Sequence, residues 1–291
     1  MRNFEYLEPT TVAEACALLK QNGGEAKIFA GGAHLTILMK QGLYQPRALI
    51  NIKKIAELKG IRCDDAELSI GALVTHRELE TSALVRDKLP VLCEAEREVA
   101  NIRVRHMGTV GGNLASGEPL TDLSQIFIAL DGRVKIAGPS GERIIPVEEL
   151  FVDFYTTCLA DDEIITKIML SLLPPKSGIE YLRFSSSSVV DKPAAGVAVR
   201  LTVEPGDQNI QLARVVLGCV GATPVRARKA EEALTGKRLS LESAVEAGKA
   251  ASRECDPTSD LRGSADYKRA IVGTLVKRAA LKAYERATEE F

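Results

Sequence analysis

Ala26-Lys27-Ile28-Phe29-Ala30-Gly31-Gly32-Ala33-His34-Leu35-Thr36 reads as a short strand that stops on a glycine pair and turns directly into a helix. Helical spacing resumes across Leu35, Leu38 and Met39 and ends at Gly42. Paired glycines let backbone approach an anion where a Cβ would clash, and the amides that open a helix point outward without partners. The same residues suit a plain tight turn, and the segment alone does not decide between the two. It lacks the third glycine of the Rossmann fingerprint and the Gly-Lys-Ser/Thr ending of a nucleoside-triphosphate loop, so a nicotinamide-type Rossmann domain is disfavoured.

Working outward, Thr10-Thr11 with Glu14 looks like a capped helix start, and Val12, Ala15, Cys16, Leu18 and Leu19 form its apolar face. Leu49-Ile50-Asn51-Ile52 is another strand, so residues 1–55 read as a small α/β unit. The part from 56 to 173 carries more strand signals. Ile61–Cys63 and Leu68–Ile70 flank Asp64-Asp65 as a hairpin would, and Arg133–Ile136 and Arg143–Ile145 flank Pro139-Ser140-Gly141. Thr75-His76-Arg77-Glu78 is a capping box, the stretch from Leu92 to Ile102 looks helical, and the acids 161–163 form a solvated turn before a strand at Ile164–Ile168. A boundary falls at Leu173-Pro174-Pro175-Lys176-Ser177-Gly178. Beyond it, in 178–287, come strands at 181–185, 195–203 and 213–220, then helices from about Ser240 and about Ser264 towards Ala287.

A second glycine element is Gly108-Thr109-Val110-Gly111-Gly112-Asn113-Leu114-Ala115, followed by Thr121-Asp122-Leu123. It offers a hydroxyl, two permissive glycines and a side-chain amide within a few residues, all suited to phosphate, ribityl or ring-edge atoms. Two such loops in one domain fit a long ligand with a pyrophosphate, and FAD fits better than a mononucleotide. Asp122 reads either as an acceptor for that ligand or as the cap of a helix over Leu123–Leu130. His34 reads as a helix cap, a phosphate contact or a solvent-facing side chain. His76 and His106 have no partner visible in the sequence, which argues against catalytic roles.

Composition narrows the class. The 291 residues are 45% hydrophobic and 26% charged, with a formal net charge of -1, no Trp and no long basic block. That excludes a nucleic-acid binder working through an overall basic field or a base-stacking platform. No apolar run reaches the roughly 18 residues needed to span a bilayer, and the start carries Glu5 and Glu8 where a secretory signal would be apolar. The expected location is cytoplasmic, with no membrane insertion. Cys16, Cys63, Cys93, Cys158, Cys219 and Cys255 are scattered without a Cys-x-x-Cys pair, as buried thiols in a reducing compartment would be. Any metal centre should then lie on another chain.

With these residues in view, the sequence resembles the FAD-binding medium subunits of molybdenum hydroxylases, the xanthine and carbon monoxide dehydrogenase family. The resemblance rests on Ala30-Gly31-Gly32, on Gly108 to Ala115 and on Thr121-Asp122-Leu123. Met39-Lys40-Gln41-Gly42-Leu43-Tyr44-Gln45-Pro46, Ile70-Gly71-Ala72, and Thr157-Cys158-Leu159 with Asp162-Glu163-Ile164-Ile165 add to it. So do Gly221 to Ala227 and the stretch from Asp256-Pro257 through Tyr267-Lys268-Arg269, and the likeness covers nearly the whole chain.

It implies an α+β chain with a PCMH-type FAD-binding fold of two α/β lobes plus a C-terminal α+β domain. FAD would be held non-covalently by Ala30, Gly31, Gly32, Ala33, His34, Leu35 and Thr36 and by Thr109, Val110, Gly111, Gly112 and Asn113. Asp122 would meet the ribityl or ring region, and Ile165 and Phe184 would touch the cofactor. No catalytic side chain and no metal ligand is expected here, because molybdopterin and iron–sulfur clusters belong to partner subunits. The implied partners are a large molybdopterin subunit and a small iron–sulfur subunit, in a dimer of heterotrimers. The implied role is electron transfer from those clusters to an external acceptor. Two other classes stay open, a self-sufficient flavin oxidoreductase and a phosphate-binding or scaffold protein without redox chemistry. The chain departs from the family pattern at Ala33-His34 and at Ser185-Ser186-Ser187-Ser188, and it lacks the cysteine-rich insertion of some relatives.

Overall fold

A parallel three-stranded sheet opens the chain, in the order Glu5–Leu7, Ala48–Asn51, Ala26–Phe29, in a computed structural model that describes residues 3–186, 188 and 191–289. Parallel neighbours need crossover connections, which the helices Val12–Gln21 and Leu35–Lys40 supply. Thr11 caps the first of these, its hydroxyl accepting from the Glu14 amide at 3.2 Å, while the Glu14 carboxylate accepts from the Thr10 amide at 2.8 Å. Ala15, Cys16 and Leu19 then pack on Ala26, Ile50 and Ile52 to make this sheet's own core.

The second sheet is antiparallel and five-stranded, ordered Ile61–Cys63, Glu67–Gly71, Ile164–Ser171, Arg133–Gly138, Gly141–Pro146. Its central strand comes last in sequence, and six helices lie between Gly71 and Arg133. One of these, Leu123–Ala129, is buried at every residue. The capping box at Thr75 forms in both halves, with Glu78 reaching back to the Thr75 amide at 2.7 Å.

The third sheet is antiparallel, ordered Ser177–Phe184, Ala195–Val203, Ile210–Gly218, Val225–Arg226, with helices Arg228–Leu234, Leu241–Glu254 and Ala265–Thr288 after it. Strand Ala195–Val203 is buried throughout because both its faces are covered. Val197, Val199 and Leu201 join the helices of this unit, whereas Ala198 and Val216 join the core of the second. Gln125, fully buried, lies so close beneath that a Cβ built on Gly218 would stand 1.4 Å from its Nε2. Asp131 fastens the same joint, accepting from Arg200 Nη1 and from Arg214 Nε, each at 2.9 Å.

The long final helix lies directly on the edge strand at Gly178, where a built Cβ would be 2.1 Å from Ala283 O and 2.8 Å from Ala287 N. Gly178→Ala is therefore expected to cost about 1–3 kcal/mol by overpacking. Chemical denaturation would show it, and an unchanged midpoint would refute it.

The structure corrects the sequence reading at several elements. The helix expected from Leu92 to Ile102 is two helices, Pro90–Glu98 and Ile102–Met107, broken where Ala100 adopts φ 44° and Asn101 caps the second. The glycine-rich segment after it is a short helix, Val110–Ala115, capped by Thr109. Helix Arg228–Leu234 was not anticipated.

Candidate functional site

The two glycine elements, far apart in sequence, meet. A Cβ built on Gly31 would stand 1.9 Å from Met107 O and 2.9 Å from Gly108 Cα, so only glycine lets the first bend rest on the entry to the second. Gly32 adopts φ 77°, and a Cβ there would be 2.5 Å from the Phe29 ring. The amides of Gly31, Gly32, Ala33 and His34 find no protein acceptor among the described residues. Thr36 is not available in the same way, since both its amide and its hydroxyl donate to Gly32 O, at 3.1 and 2.7 Å. His34 stands at the N-cap position without a side-chain capping bond, which removes the capping reading.

The second element does not present its amides as the first does. Val110 N donates to Val74 O, Gly111 N to Ala72 O, Gly112 N to Thr109 Oγ1 and Asn113 N to Thr109 O, at 2.8, 3.0, 3.1 and 2.8 Å. The physical reason is that this segment is a capped helix start leaning on the turn after strand Glu67–Gly71. Gly111 is needed for that packing, since its Cβ would lie 2.5 Å from Ala72 Cβ. What stays open is the Asn113 side chain, whose Oδ1 is buried without a hydrogen-bond partner. A buried orphan acceptor of this kind calls for a ligand donor.

Asp122 is buried at the start of helix Leu123–Ala129 but makes no side-chain cap. Its carboxylate is held instead by Tyr181 Oη at 2.6 Å and Arg183 Nη1 at 3.3 Å. Burial pushes the Asp122 carboxyl above its ordinary range, with Arg183 and Tyr181 pulling the other way. Ile165 is buried in the core of the second unit, and Phe184 packs on the third unit's core with its ring 6.2 Å from that of Tyr267. Val110 and Leu114 of the second glycine element share the core that holds Ile165, whereas Phe184 packs on the core of the third unit. Ser187, one of the departures noted in the sequence, lies outside them.

Several groups around the bends were not visible in the sequence. His76 donates its amide to Gly108 O at 3.1 Å, and its Nδ1 lies 3.0 Å from both oxygens of Glu96, a fully buried carboxylate. On the other side His34 stacks on Tyr155 at 6.1 Å, and Tyr155 Oη donates to the buried Glu118 at 3.1 and 3.2 Å. Glu118 also pairs with Lys192. Burial depresses His34 below its ordinary value, Glu118 raises it and Lys192 lowers it. Only the acid and aromatic residue types were legible. Their partners lie tens of residues away, and no local spacing reports them.

Two surface hollows, of about 320 Å³ beside Tyr44 and about 600 Å³ beside Cys16, share no residue with either glycine element. Among the described residues no cluster of His, Cys, Asp or Glu is placed to hold a metal ion, no helix is long and apolar enough to cross a membrane, and the six cysteines are free thiols.

Residues 2–172 match the profile of the FAD binding domain in molybdopterin dehydrogenase, and residues 180–283 match the carbon monoxide dehydrogenase flavoprotein C-terminal domain. The carbon monoxide dehydrogenase medium chain of Hydrogenophaga pseudoflava is 36% identical over 97% of this chain and 98% of its own length. The nicotine 6-hydroxylase medium subunit of Paenarthrobacter nicotinovorans is 33% identical over 97% of this chain and 98% of its own. Among solved structures, carbon monoxide dehydrogenase from Hydrogenophaga pseudoflava superposes with a TM-score of 0.94 at 38% identity, covering 98% of each chain. Quinoline 2-oxidoreductase from Pseudomonas putida 86 gives 0.92 at 27% identity, covering 99% of each.

Proposed function

The chain belongs to the FAD-binding medium subunits of the molybdenum hydroxylases, and from that membership we propose that it is the electron-transfer subunit of such an enzyme. Its cofactor is FAD, and it is a subunit of an FAD-dependent oxidoreductase. Bound FAD exchanges one or two electrons, which suits a bridge between one-electron centres and a two-electron acceptor. In this reading the electrons come from iron–sulfur clusters on a small partner subunit, substrate is oxidised on a large molybdopterin subunit, and the whole assembles as a dimer of heterotrimers. The free thiols of all six cysteines support a cytoplasmic setting.

The observation that carries the reading is the run of open amides from Gly31 to His34, seated on Met107 and Gly108. These amides would hold the diphosphate, which needs several donors at close range. Asn113 would accept from the ligand through its orphan Oδ1. Ala30, Leu35 and Thr36 would shape the wall of the cradle, and Thr109, Val110, Gly111 and Gly112 would fix Asn113 in place. Asp122, held by Tyr181 and Arg183, would act near the ribityl or ring region, with Ile165 and Phe184 beyond it. The cofactor is expected to be non-covalent.

The full chain should purify yellow, release FAD on acid precipitation and rebind it. With a hydroxylase substrate the isolated chain's flavin should stay oxidised, and it should bleach once the molybdenum and iron–sulfur subunits are added. Bleaching by substrate alone would make the chain a self-sufficient oxidoreductase. A colourless chain that binds phosphate but not FAD would leave only the scaffold reading.

A further inference from the structure

A line of contacts crosses all three units beside the open amides. His34, from the first unit, stacks on Tyr155 of the second at 6.1 Å with 27° between the rings. Tyr155 sits in the left-handed region, φ 52°, at the tip of the hairpin formed by Phe151–Asp153 and Thr156–Thr157. A Cβ on Gly117 would be 2.8 Å from Tyr155 C, and Tyr155 N donates to Gly117 O at 3.0 Å. The hairpin tip is thereby tied to the loop that carries Glu118.

Both Glu118 oxygens accept from Tyr155 Oη, and Oε2 pairs with Lys192 of the third unit. Arg262 Nε donates to Lys192 O at 3.2 Å and is itself paired with Asp260 at 3.2 Å. The Glu118 side chain is 5% exposed, whereas that of Lys192 is 46% exposed and Tyr155 as a residue 52%. The buried carboxylate is thus the hub, and the two more exposed groups depend on it.

A carboxylate is not buried without reason, because it must be repaid by hydrogen bonds and charge. Glu118 satisfies that condition with Tyr155 Oη and the Leu120 amide, at 3.4 Å, from its own unit and with Lys192 from the C-terminal unit. We propose that Glu118 is a positioning residue through which the C-terminal unit, by way of Lys192, holds Tyr155 and His34 against the FAD cradle. In this role it acts on the cofactor only through Tyr155 and His34. Its effect is to fix the imidazole that borders the open amides, so FAD retention depends on a unit that contributes none of them. The inference rests on the FAD reading given above.

FAD dissociation constants of the full chain, from flavin fluorescence titration, test it. Groups linked in one network couple strongly, so Glu118→Gln, Tyr155→Phe and Lys192→Met should each weaken FAD binding by about tenfold. The Glu118→Gln and Tyr155→Phe double variant should be no weaker than the worse single one. Lys192→Arg, which keeps the ion pair, should retain parental affinity, a rescue that mere loop packing would not require.

Unchanged affinity in folded single variants, losses that multiply in the double, or no difference between Lys192→Arg and Lys192→Met would each overturn the proposal. Should Glu118→Gln fail to fold, Tyr155→Phe and Lys192→Met, both on exposed groups, decide by the same comparison. Failure of the parent chain to bind FAD would instead bring down the cradle itself.

Discussion

Gly31→Ala is expected to abolish stable FAD binding while leaving a folded chain. The cause is steric and not conformational, since Gly31, unlike Gly32, does not need the left-handed region. The added carbon would stand 1.9 Å from Met107 O, and no rotamer change can relieve a clash with a carbonyl. The first bend would have to withdraw from Met107 and Gly108 by more than an ångström to reach normal contact. That withdrawal carries the Gly31–His34 amides away from Asn113, whose Oδ1 also lacks a partner. A misplacement on that scale costs on the order of hundredfold where several contacts must be met together. Flavin content after purification and the FAD dissociation constant measure it. Gly206→Ala, in the turn of the C-terminal sheet, meets no neighbour but strains a backbone at φ 103°, so it should lose some stability yet keep its flavin, which separates a general loss of stability from loss of the cradle. A folded Gly31→Ala chain as yellow as its parent would mean that the two bends need not touch for the cofactor to bind.

How far the sequence speaks for the structure depends on the range of the interaction. Thr11, Thr75, Ser240 and Ser264 cap helices through bonds to the residue three positions on, and that spacing can be read directly. The strands at 26–29, 61–63 and 133–138 are legible for a similar reason, because alternating or apolar runs stop at glycine or acidic turns. The break at Ala100 is not, as a non-glycine residue with positive φ gives no local warning. The helix at Val110–Ala115 was hidden by its glycines, which disfavour helix and here serve close packing on Ala72.

The site shows the same division. The glycines that open the cradle are visible, but what they press against is not. Asp122 was legible as important but not as a buried acceptor for Tyr181 and Arg183, which lie 59 and 61 residues away. His76 seemed to have no partner because Glu96 reaches it from another helix, 20 residues on. Long-range partnering of buried charge is set by packing, and one sequence carries no periodic trace of it.

That hidden pair carries the largest expected stability effect. Burial holds the Glu96 carboxyl above its ordinary range, His76 is the main force drawing it down, and Asp122 and Glu80 push it further up. Replacing His76 by Leu would strip both bonds from a carboxylate with no access to water, and breaking a buried pair in this way costs about 3–5 kcal/mol. The pH dependence has a definite sign. A carboxyl with a folded value above its unfolded one favours folding below the unfolded value and opposes it as pH rises. His76→Leu raises the folded value further, so its deficit against the parent should be small near pH 4.5, the ordinary glutamate value, and grow towards neutrality. The double variant His76→Leu with Glu96→Leu removes the stranded charge as well, and should be more stable at neutral pH than His76→Leu alone. Denaturation midpoints at acid and neutral pH separate the cases. A deficit that does not change with pH would point to lost packing and not to a stranded carboxylate. The consequence reaches the cradle, because the His76 ring lies against Gly108, where a built Cβ would be 2.9 Å from its Cδ2, and the His76 amide holds Gly108 O. Loosening His76 therefore loosens the surface on which Gly31 rests, and FAD affinity should fall together with stability as pH rises.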